Sequence, residues 1–579
     1  MQTKKIHLSD SDKKFTLDQD KIMPPAETVK RVKAKFGSLD LDILEATQRI
    51  DNGRLDIPVF FSRCGRDARA RTGTTKQMGK GATPEQAEAS AVMELVERFS
   101  FFSFAQNPAN FFTAPYPDVD DPALPFDMIA RSVHDDSDEL DITRTIFETL
   151  PLKWTMAYNL SREEPVLIPF DWFYMINEFN GPSAGNCVEE AVSQGICEIV
   201  ERHVSSVVSR NRLPVPRIRP QSATDPAVCE MLAKYEKAGI RLFISDFSLD
   251  TGVPSVGVLA YDPVTFPARS EIVWTAGTTP DPQKALSRTL TEVAQLAGDF
   301  NTGANFVASG LPKFTNVEAA DFIINEERFI DITDLPDLSD DNIKTEIGNL
   351  LGALAKNDMQ AILIDTMHAE LEIPAYYTII PGAHFRERSH GTSVGMFSAK
   401  FITENNPPEE ALPLLQSFDR KLPGKYYNQF YIGLSQLASG SPPAALASLE
   451  KALDQNPTRQ DIPSIYSYMG QCLKEMERYE DALEVLQKGA EADNERTDIF
   501  NLMGFCYFKL KAHEDAIQCF QKVVKLNPGS AIDYANIASN YRDLVKTEEA
   551  IEYYETALAL DPTIDFALQN LMKLQEGRK

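Results

Sequence analysis

The chain has 579 residues, of which 43% are apolar and 25% charged, and it carries a net charge of -27. This length exceeds what one hydrophobic core usually supports, so two or three domains are expected, and the apolar content excludes global disorder. The acidic excess would repel nucleic acid over most of the surface, which leaves a cationic peptide or protein as the better electrostatic match unless the acidic surface is simply solvated.

The N-terminal sequence and the cysteines indicate the cellular compartment in which the protein acts. The first residues lack the apolar core of a signal peptide, and no apolar run approaches the roughly 18 residues that span a bilayer. Seven cysteines, none in a CxxC pair, indicate neither a disulfide framework nor a zinc site. We therefore expect a cytoplasmic protein with reduced thiols and without a membrane partner.

Residues 1–50 are predicted to be an N-terminal segment of one large unit, whose main part is residues 51–400. Its helical periodicity and its short β-branched runs predict an α+β fold. The predicted helices cover 85–101, 189–207 and 282–297, and the clearest predicted strands cover 255–261 and 375–381.

A glycine-rich segment, Gly79-Lys80-Gly81-Ala82-Thr83, precedes the first of these helices. Exposed backbone amides and a lysine at the start of a helix could meet phosphate. Taken alone, the segment is more typical of a flexible surface turn.

The pattern Glu-x-x-Glu-Arg occurs twice, at residues 94–98 and 198–202, which are 104 residues apart. Positions i and i+3 share one helix face, so each copy presents two carboxylates side by side. A single copy is usually a solvated salt-bridged face, but the duplication favours a functional site.

A fifth acid, Glu190, lies about two helical turns before the second copy. Five carboxylates without repeated histidine suit Mg²⁺ better than zinc, and His203 has the wrong offset for a di-iron Glu-x-x-His motif. Magnesium held by acids implies phosphate, and a nucleotide is the natural ligand. No P-loop, kinase catalytic loop or Rossmann fingerprint is present, so the common ATP folds are not supported.

Residues 401–423 are predicted to be a linker and a first helix, because the segment 403–410 is rich in Pro, Asn and Glu. A 34-residue period follows, with small residues at fixed positions and prolines after three units. This pattern over residues 424–579 resembles the tetratricopeptide-repeat family, with about four repeats and a capping helix at 564–574. The positions are Ala482, Ala516, Ala550, Gly470, Gly504 and Ala538, with Pro457, Pro528 and Pro562.

Three blocks of the first unit together resemble the YcaO family in order and spacing. The first block runs from Gly79 through Ser90 to the first acidic pattern, and the second runs from 180 through Asn186 to the second pattern. The third block spans 285–292 and contains Arg288. The resemblance covers about residues 50–400.

The resemblance implies a family-specific ATP-binding fold that uses ATP and Mg²⁺. The implied metal ligands are Glu94, Glu97, Glu190, Glu198 and Glu201. The implied nucleotide contacts are Ser90, Asn186, Arg202 and Arg288, with Lys80 and Arg98 as further candidates, and Arg202 and Arg288 are also the candidate catalytic residues.

Members of the family phosphorylate a peptide backbone amide, and the attacking nucleophile decides the product. A Cys, Ser or Thr side chain gives an azoline, sulfide gives a thioamide, and an amine gives an amidine. Here a repeat domain follows in place of a proline-rich tail, which weighs against the azoline branch. His384 and His390 lie in a late segment that could reach the site or could form a solvated basic loop.

Two other functions stay open: an ATP-binding accessory scaffold for an enzyme that modifies a ribosomal protein, and a simple ATPase with another acceptor. The repeats are expected to recruit the peptide or protein substrate, or a protein partner. Homodimerisation is a further option that the sequence leaves open.

Overall fold

The computed structural model describes residues 5–119, 122–267, 270–297, 300, 314, 316–385, 392–527 and 529–576. The chain forms two units, Met1–His134 with Pro151–Arg388 and Asp135–Leu150 with Ser389–Lys579. The domain boundaries placed at residues 50, 400 and 423 stay predictions. The sequence contains no signal that groups residues 135–150 with the C-terminal helices.

The strands of the first unit form three mainly antiparallel sheets, ordered β1-β2-β3, β11-β10-β9-β8-β12 and β4-β5-β13-β14-β7, with β6 paired to β5. The only parallel pair among the described strands is β12 with β8. The bounds are β1 Leu44–Arg49, β2 Val59–Cys64, β3 Lys76–Lys80, β4 Phe112–Ala114, β5 Leu152–Asn159, β6 Glu164–Pro169, β7 Pro182–Ala184, β8 Arg217–Ile218, β9 Arg241–Asp246, β10 Ser255–Tyr261, β11 Val273–Thr278, β12 Phe329–Ile330, β13 Ile362–Asp365 and β14 Ala375–Ile379.

Helices alternate with these strands and confirm the α+β class predicted from the sequence. The three predicted helices correspond to α3, α7 and α9, and the two predicted strands correspond to β10 and β14. The bounds are α1 Pro25–Gly37, α2 Arg66–Thr72, α3 Pro84–Gln106, α4 Phe126–Ser132, α6 Phe170–Asn177, α7 Val188–Asn211, α8 Pro226–Lys237, α9 Pro282–Ala297, α10 Asp321–Ile324 and α11 Ile343–Lys356, with α5 Leu140–Phe147 in the second unit.

The glycine-rich segment differs from its prediction as a loop. Gly79 and Lys80 end strand β3, and a Cβ on Gly79 would collide with the backbone of Ala87 and Ala91 on α3. The strand and the helix therefore pack without an intervening side chain. The amides expected to face phosphate are occupied, since Gly81 N donates to Pro58 O at 3.4 Å and Ala82 N donates to Asp18 Oδ2 at 2.6 Å.

The start of α3 follows from local sequence. Thr83 caps the helix, because its hydroxyl accepts a hydrogen bond from Gln86 N, and Pro84 supplies the preset φ of the first turn. A core between the β8–β12 sheet and helices α8 and α9 buries Leu286, Leu290 and Val293 of α9. This leaves the opposite face of α9 to carry Arg288 towards the acidic helices.

The second unit consists of helices. The segment 403–410, predicted as a linker, instead contains the end of α12 and the start of α13, because Pro408 and the following glutamates are favourable at a helix N-terminus. The bounds are α12 Val394–Asn405, α13 Pro408–Lys421, α14 Tyr426–Ala438, α15 Pro442–Asp454, α16 Ile462–Glu475, α17 Tyr479–Ala492, α18 Thr497–Lys509, α19 His513–Leu526, α20 Ala531–Asp543, α21 Thr547–Leu560 and α22 Asp565–Glu576.

Helices α14 to α21 form the four predicted pairs, and α22 corresponds to the predicted capping helix. The small residues permit close packing within each pair: a Cβ on Gly504 would lie 2.7 Å from Phe520 Cζ, and Gly470 faces Leu486 in the same way. Pro528 lies outside the described residues. Within the part of the chain that the structure describes, no helix has the length and apolar character needed to cross a membrane.

Candidate nucleotide and metal site

Three of the four glutamates of the repeated motif are buried in the first unit, and Glu94 is half-buried. Glu97 on α3 and Glu198 and Glu201 on α7 are each at most 9% exposed. Arg98 holds the first pair, because its Nε donates to Glu94 Oε1 at 2.9 Å and lies 3.5 Å from Glu97 Oε1. The motif arginine therefore neutralises part of a buried acidic cluster.

The negative charges of the two carboxylate pairs affect each other's pKa values. Burial, and after it the charge of Glu94, raises the pKa of Glu97 well above its usual value, and Glu198 adds to this effect. Burial also raises the pKa of Glu198, against the opposing charges of Arg202 and Arg98. The structure thus brings the two acidic helices together, as the duplicated motif predicts.

A cavity of about 150 Å³ lies beside this cluster. Both acidic helices and α9 contribute to it. Seven of the predicted site residues line it, namely Lys80, Ser90, Glu94, Glu97, Asn186, Glu190 and Arg288. Four predicted residues do not line it. Arg98 contacts Glu94 and Glu201 contacts Arg288, both on the cavity wall, while Arg202 pairs with Glu198.

Arg288 links α9 to α7. Its Nε donates to Glu201 Oε2 at 3.0 Å, and the amide of Thr278 donates to the same oxygen at 3.2 Å. With its amide oxygen facing the arginine, Gln194 accepts from both terminal nitrogens at 3.1 and 3.2 Å. The guanidinium is therefore held in one orientation at the cavity wall.

Lys80 and Arg202 are cations suited to an incoming anion. Burial, and then the charge of Arg288, lowers the pKa of Lys80 to about 7, although its ammonium lies against Glu292. Arg202 lies 3.8 Å from Glu198, and its buried Nε has no hydrogen-bond partner among the described residues. A phosphate oxygen would satisfy this nitrogen and favour the charged form of the lysine.

Glu190 already accepts hydrogen bonds at both oxygens. The backbone and side-chain nitrogens of Asn186 donate to Oε2 at 2.9 and 3.0 Å, and Ile22 N donates to Oε1 at 2.7 Å. Thr28 Oγ1 in turn donates to Asn186 Oδ1 at 3.0 Å. In this arrangement Glu190 orients Asn186, and because Oε2 accepts two hydrogen bonds and Oε1 only one, Oε1 is the oxygen that keeps a lone pair for a metal.

Sequence reasoning missed three contributors to the site. Gln194 and Glu292 lie one helical turn after Glu190 and Arg288, and this i+4 spacing could have identified them. Asp18, which lines the cavity and whose pKa burial raises to about 6, belongs to an N-terminal segment without any recognisable motif. Its position depends on tertiary contacts alone.

The donor set fits a magnesium–phosphate ligand. The acids offer only oxygen atoms, which Mg²⁺ prefers, and since burial raises the pKa of Glu97 and Glu198, a bound cation would favour their ionised form. Within the described residues, no three His, Cys, Asp or Glu side chains already converge as a metal site. Ligation therefore needs side-chain rotation away from the arginines that now pair with these acids.

His384 lies apart from this cavity. Its ring stacks on His134 with 3.8 Å between centroids, and its backbone nitrogen donates to His203 Nδ1 at 3.0 Å. Burial lowers the pKa of His203 to about 4, so its imidazole is neutral and can accept that bond. His390 lies outside the described residues.

Comparison with protein families identifies both parts of the chain. The model described as YcaO cyclodehydratase, ATP- and Mg²⁺-binding, matches residues 78–384. Three tetratricopeptide-repeat models match residues 436–504, 497–530 and 534–564. The α+β unit and the helical repeats thus agree with the two resemblances in the sequence.

Individual relatives are distant. An uncharacterised protein of Methanothermobacter thermautotrophicus is 27% identical over 62% of this chain and 93% of its own length. The ribosomal protein S12 methylthiotransferase accessory factor YcaO of Escherichia coli is 28% identical over 52% of this chain. The alignments cover just over half, 56%, of that protein and of an uncharacterised Haemophilus influenzae relative.

Two solved structures share the fold of the first unit. One is YcaO from Methanopyrus kandleri bound with AMPPCP and Mg²⁺, with a TM-score of 0.50, 22% identity and coverage of 64% of this chain and 94% of that one. The other is a heterocyclase in complex with substrate and cofactor, with a TM-score of 0.52, 18% identity and coverage of 66% and 55%.

Proposed function

Because the chain belongs to the YcaO family, we propose that it uses ATP and Mg²⁺ to phosphorylate a backbone amide oxygen of a peptide. The observation that carries this proposal is a cluster of two glutamate pairs, three of whose four members are buried, beside a cavity that Lys80 and Arg288 also line. Phosphorylation converts the amide oxygen into a leaving group, and a thiol, hydroxyl, sulfide or amine then completes the reaction.

The acids at 94, 97, 190, 198 and 201 would hold Mg²⁺, which when bound neutralises charge on the transferring phosphoryl group. Ser90 and Asn186 line the cavity at its two acidic helices and would position the nucleotide. Arg98 would keep the first glutamate pair in place. These roles are assigned by matching the family motif and by the geometry around the cavity.

Arg202 and Arg288 would bind the phosphoryl oxygens. Glu201 and Gln194 fix the guanidinium of Arg288, so that binding costs it little rotational freedom. Arg202 brings a buried Nε without a partner in the described part of the chain, which favours binding of an oxygen anion. Lys80 would gain a proton as phosphate approaches, because its lowered pKa rises again beside negative charge.

An accessory role is the second candidate. The Escherichia coli relative is named as an accessory factor of a methylthiotransferase, and here a repeat domain follows the family domain. In that case the chain would bind ATP and assist another enzyme without activating an amide itself. Peptide-dependent release of ADP would support the enzymatic role, whereas ATP binding without it would support the accessory role.

The repeats would recruit the peptide substrate or a protein partner. Solenoids of this kind present a continuous concave surface to extended or helical segments. The net charge of -27 favours a partner with basic character over nucleic acid. We further propose that the protein acts in the cytoplasm.

Calorimetric titration with ATP, in the presence and absence of Mg²⁺, tests the site. Glu198→Gln preserves the size of a buried side chain and removes its charge, so Mg²⁺-dependent affinity should fall at least tenfold. Glu88→Gln, on the outer face of α3 where Glu88 pairs with Lys33, is the matched control and should bind as wild type. Equal binding by wild type and Glu198→Gln would refute the metal role.

A further inference from the structure

A second cavity, of about 1200 Å³, lies in the first unit and belongs to none of the chemistry above. It is walled by α2, the C-terminal part of α3, the middle of β5 and the segment after β13. No glutamate of the repeated motif lines it. Ser100 on its wall is three residues after Glu97, or about 4.5 Å along the axis of α3, so the two cavities are neighbours on one helix.

Four side-chain polar atoms at this cavity are buried without a hydrogen-bond partner among the described residues: Ser100 Oγ, Ser103 Oγ, Tyr158 OH and His368 Nδ1. Ser100 and Tyr158 are 0% and 3% exposed. Unsatisfied buried polar atoms cost stability and are few in native proteins, so four at one cavity indicate groups kept for a ligand.

These four buried polar atoms favour an uncharged ligand. Hydroxyl groups donate and accept hydrogen bonds equally, and burial lowers the pKa of His368, which keeps its imidazole neutral. The charged residues on the wall already have partners: Asp67 accepts from Asp42 N at 2.8 Å, Arg71 donates to Gln106 at 3.2 Å, and Asp365 accepts from Met367 N at 3.0 Å. Glu370 is exposed.

The cavity also opens onto a gap in a sheet. Strand β5 pairs with β6 along one edge, and on its other edge with β4 at residues 152–154 and with β13 at residues 158–159. Residues 155–157 have no strand partner on that second edge within the described residues, and all three line the cavity. Alternate residues of a strand direct N–H and C=O to the same edge, so at least one of them offers both groups to a ligand.

Aromatic rings complete the wall. Phe99, which is 2% exposed, has its ring centroid 5.2 Å from that of His368 in a tilted arrangement, and Phe104 lies five residues further along α3. A ligand that matches this wall carries amide groups for the strand edge and the hydroxyls, and apolar side chains for the rings.

We propose that this cavity binds an uncharged segment of the peptide substrate, apart from the amide that reacts. The proposal rests on the proposed function in taking the peptide to be the substrate, but binding to the cavity does not require ATP. An extended peptide advances about 3.3 Å per residue, so one or two residues cover the offset of about 4.5 Å between Glu97 and Ser100 along α3.

The test measures binding of a pool of acetylated and amidated hexapeptides that contain only uncharged residues, using ligand-observed NMR on the full-length protein without ATP. A second pool carries one Lys or Glu in each peptide. We expect wild type to retain members of the uncharged pool. Absence of binding from that pool, or equal binding of the charged pool, would overturn the proposal.

Variants locate the binding. Ser103→Trp fills the cavity and should abolish peptide binding, whereas Val264→Trp, at a position that is 88% exposed, should not. Tyr158→Phe removes one unpartnered hydroxyl, so it should weaken binding about fivefold without lowering the melting temperature, a combination that a purely structural role would not give. If Ser103→Trp fails to fold, Tyr158→Phe decides the question.

Unchanged peptide binding by Tyr158→Phe, or by a folded Ser103→Trp, would contradict the proposal. ATP titration of the same samples separates this proposal from the proposed function. Peptide binding that persists where ATP does not bind would support the cavity and contradict the nucleotide site. The proposals for the peptide cavity and for the nucleotide site can therefore be refuted independently of each other.

Discussion

Replacing Arg288 by lysine tests how the nucleotide site is held together. Arg288 donates through Nε to Glu201 at 3.0 Å, and with the Gln194 amide oxygen facing it, both terminal nitrogens are anchored at 3.1 and 3.2 Å. Arg288→Lys keeps the positive charge but offers a single ammonium on a flexible stem. Such a group cannot contact Glu201 and a phosphate in the same fixed geometry.

The expected loss follows from the lost contacts. A hydrogen bond to a charged group contributes about 1.5–3 kcal/mol, and Arg288→Lys should lose about one such bond to phosphate. Since about 1.4 kcal/mol corresponds to a tenfold change in affinity, ATP binding should weaken about 10- to 140-fold. The control is Arg219→Lys, because Arg219 pairs with Asp331 at the exposed surface, and its affinity should stay within about twofold.

Calorimetric titration of Mg²⁺ and ATP into both variants measures this loss. Glu201→Gln should weaken binding by loosening Arg288, so the double variant should lose less than the product of the two single losses. Losses that multiply independently would show that Glu201 does not position the arginine. Wild-type affinity in Arg288→Lys would refute a phosphate contact altogether.

Three further predictions concern the acids and the repeats. Burial raises the pKa of Glu97 and Glu198 above the usual value near 4.5, so both carboxylates take up protons before the pH falls to that value. Mg²⁺-dependent ATP affinity should therefore fall as the pH is lowered from neutral, and less steeply in Glu97→Gln. In the ligand-free protein the sign for stability is opposite: ionising these acids is unfavourable in the fold, so melting temperature should fall as pH rises above their usual value near 4.5. A flat affinity profile would contradict this account. Gly504→Val places a side chain against Phe520, so it should disrupt recruitment of a partner while ATP binding stays unchanged; intact recruitment, measured by co-purification, would show that this packing is dispensable.

The helical repeats and the acidic motif could be predicted from local patterns in the sequence. The 34-residue period fixes which residues face the partner helix, because Gly470 and Gly504 must admit Leu486 and Phe520 within one short helix pair. The Glu-x-x-Glu-Arg motif likewise places two acids and an arginine on one stretch of helix, since i, i+3 and i+4 are neighbours. Both inferences needed only the geometry of a helix.

Inferences that depended on strand or loop assignment were weaker. Gly79 suggests a flexible phosphate loop, yet it lies in β3, where the absence of a side chain lets α3 approach. Pro408 suggests a linker but begins a helix. Glycine and proline each serve several backbone roles, and the neighbour that selects among them is distant in sequence.

The family resemblance, the α+β class, the repeats and the acidic cluster could all be predicted from the amino-acid sequence, because each depends on short-range periodicity or on a motif with fixed spacing. Other features become visible only in the folded chain: Asp18 reaches the nucleotide cavity, Glu201 orients Arg288, and Ser100, Tyr158 and His368 share a second cavity. Those contacts join residues tens to hundreds of positions apart, and their geometry is set by how sheets and helices pack, which no local pattern records.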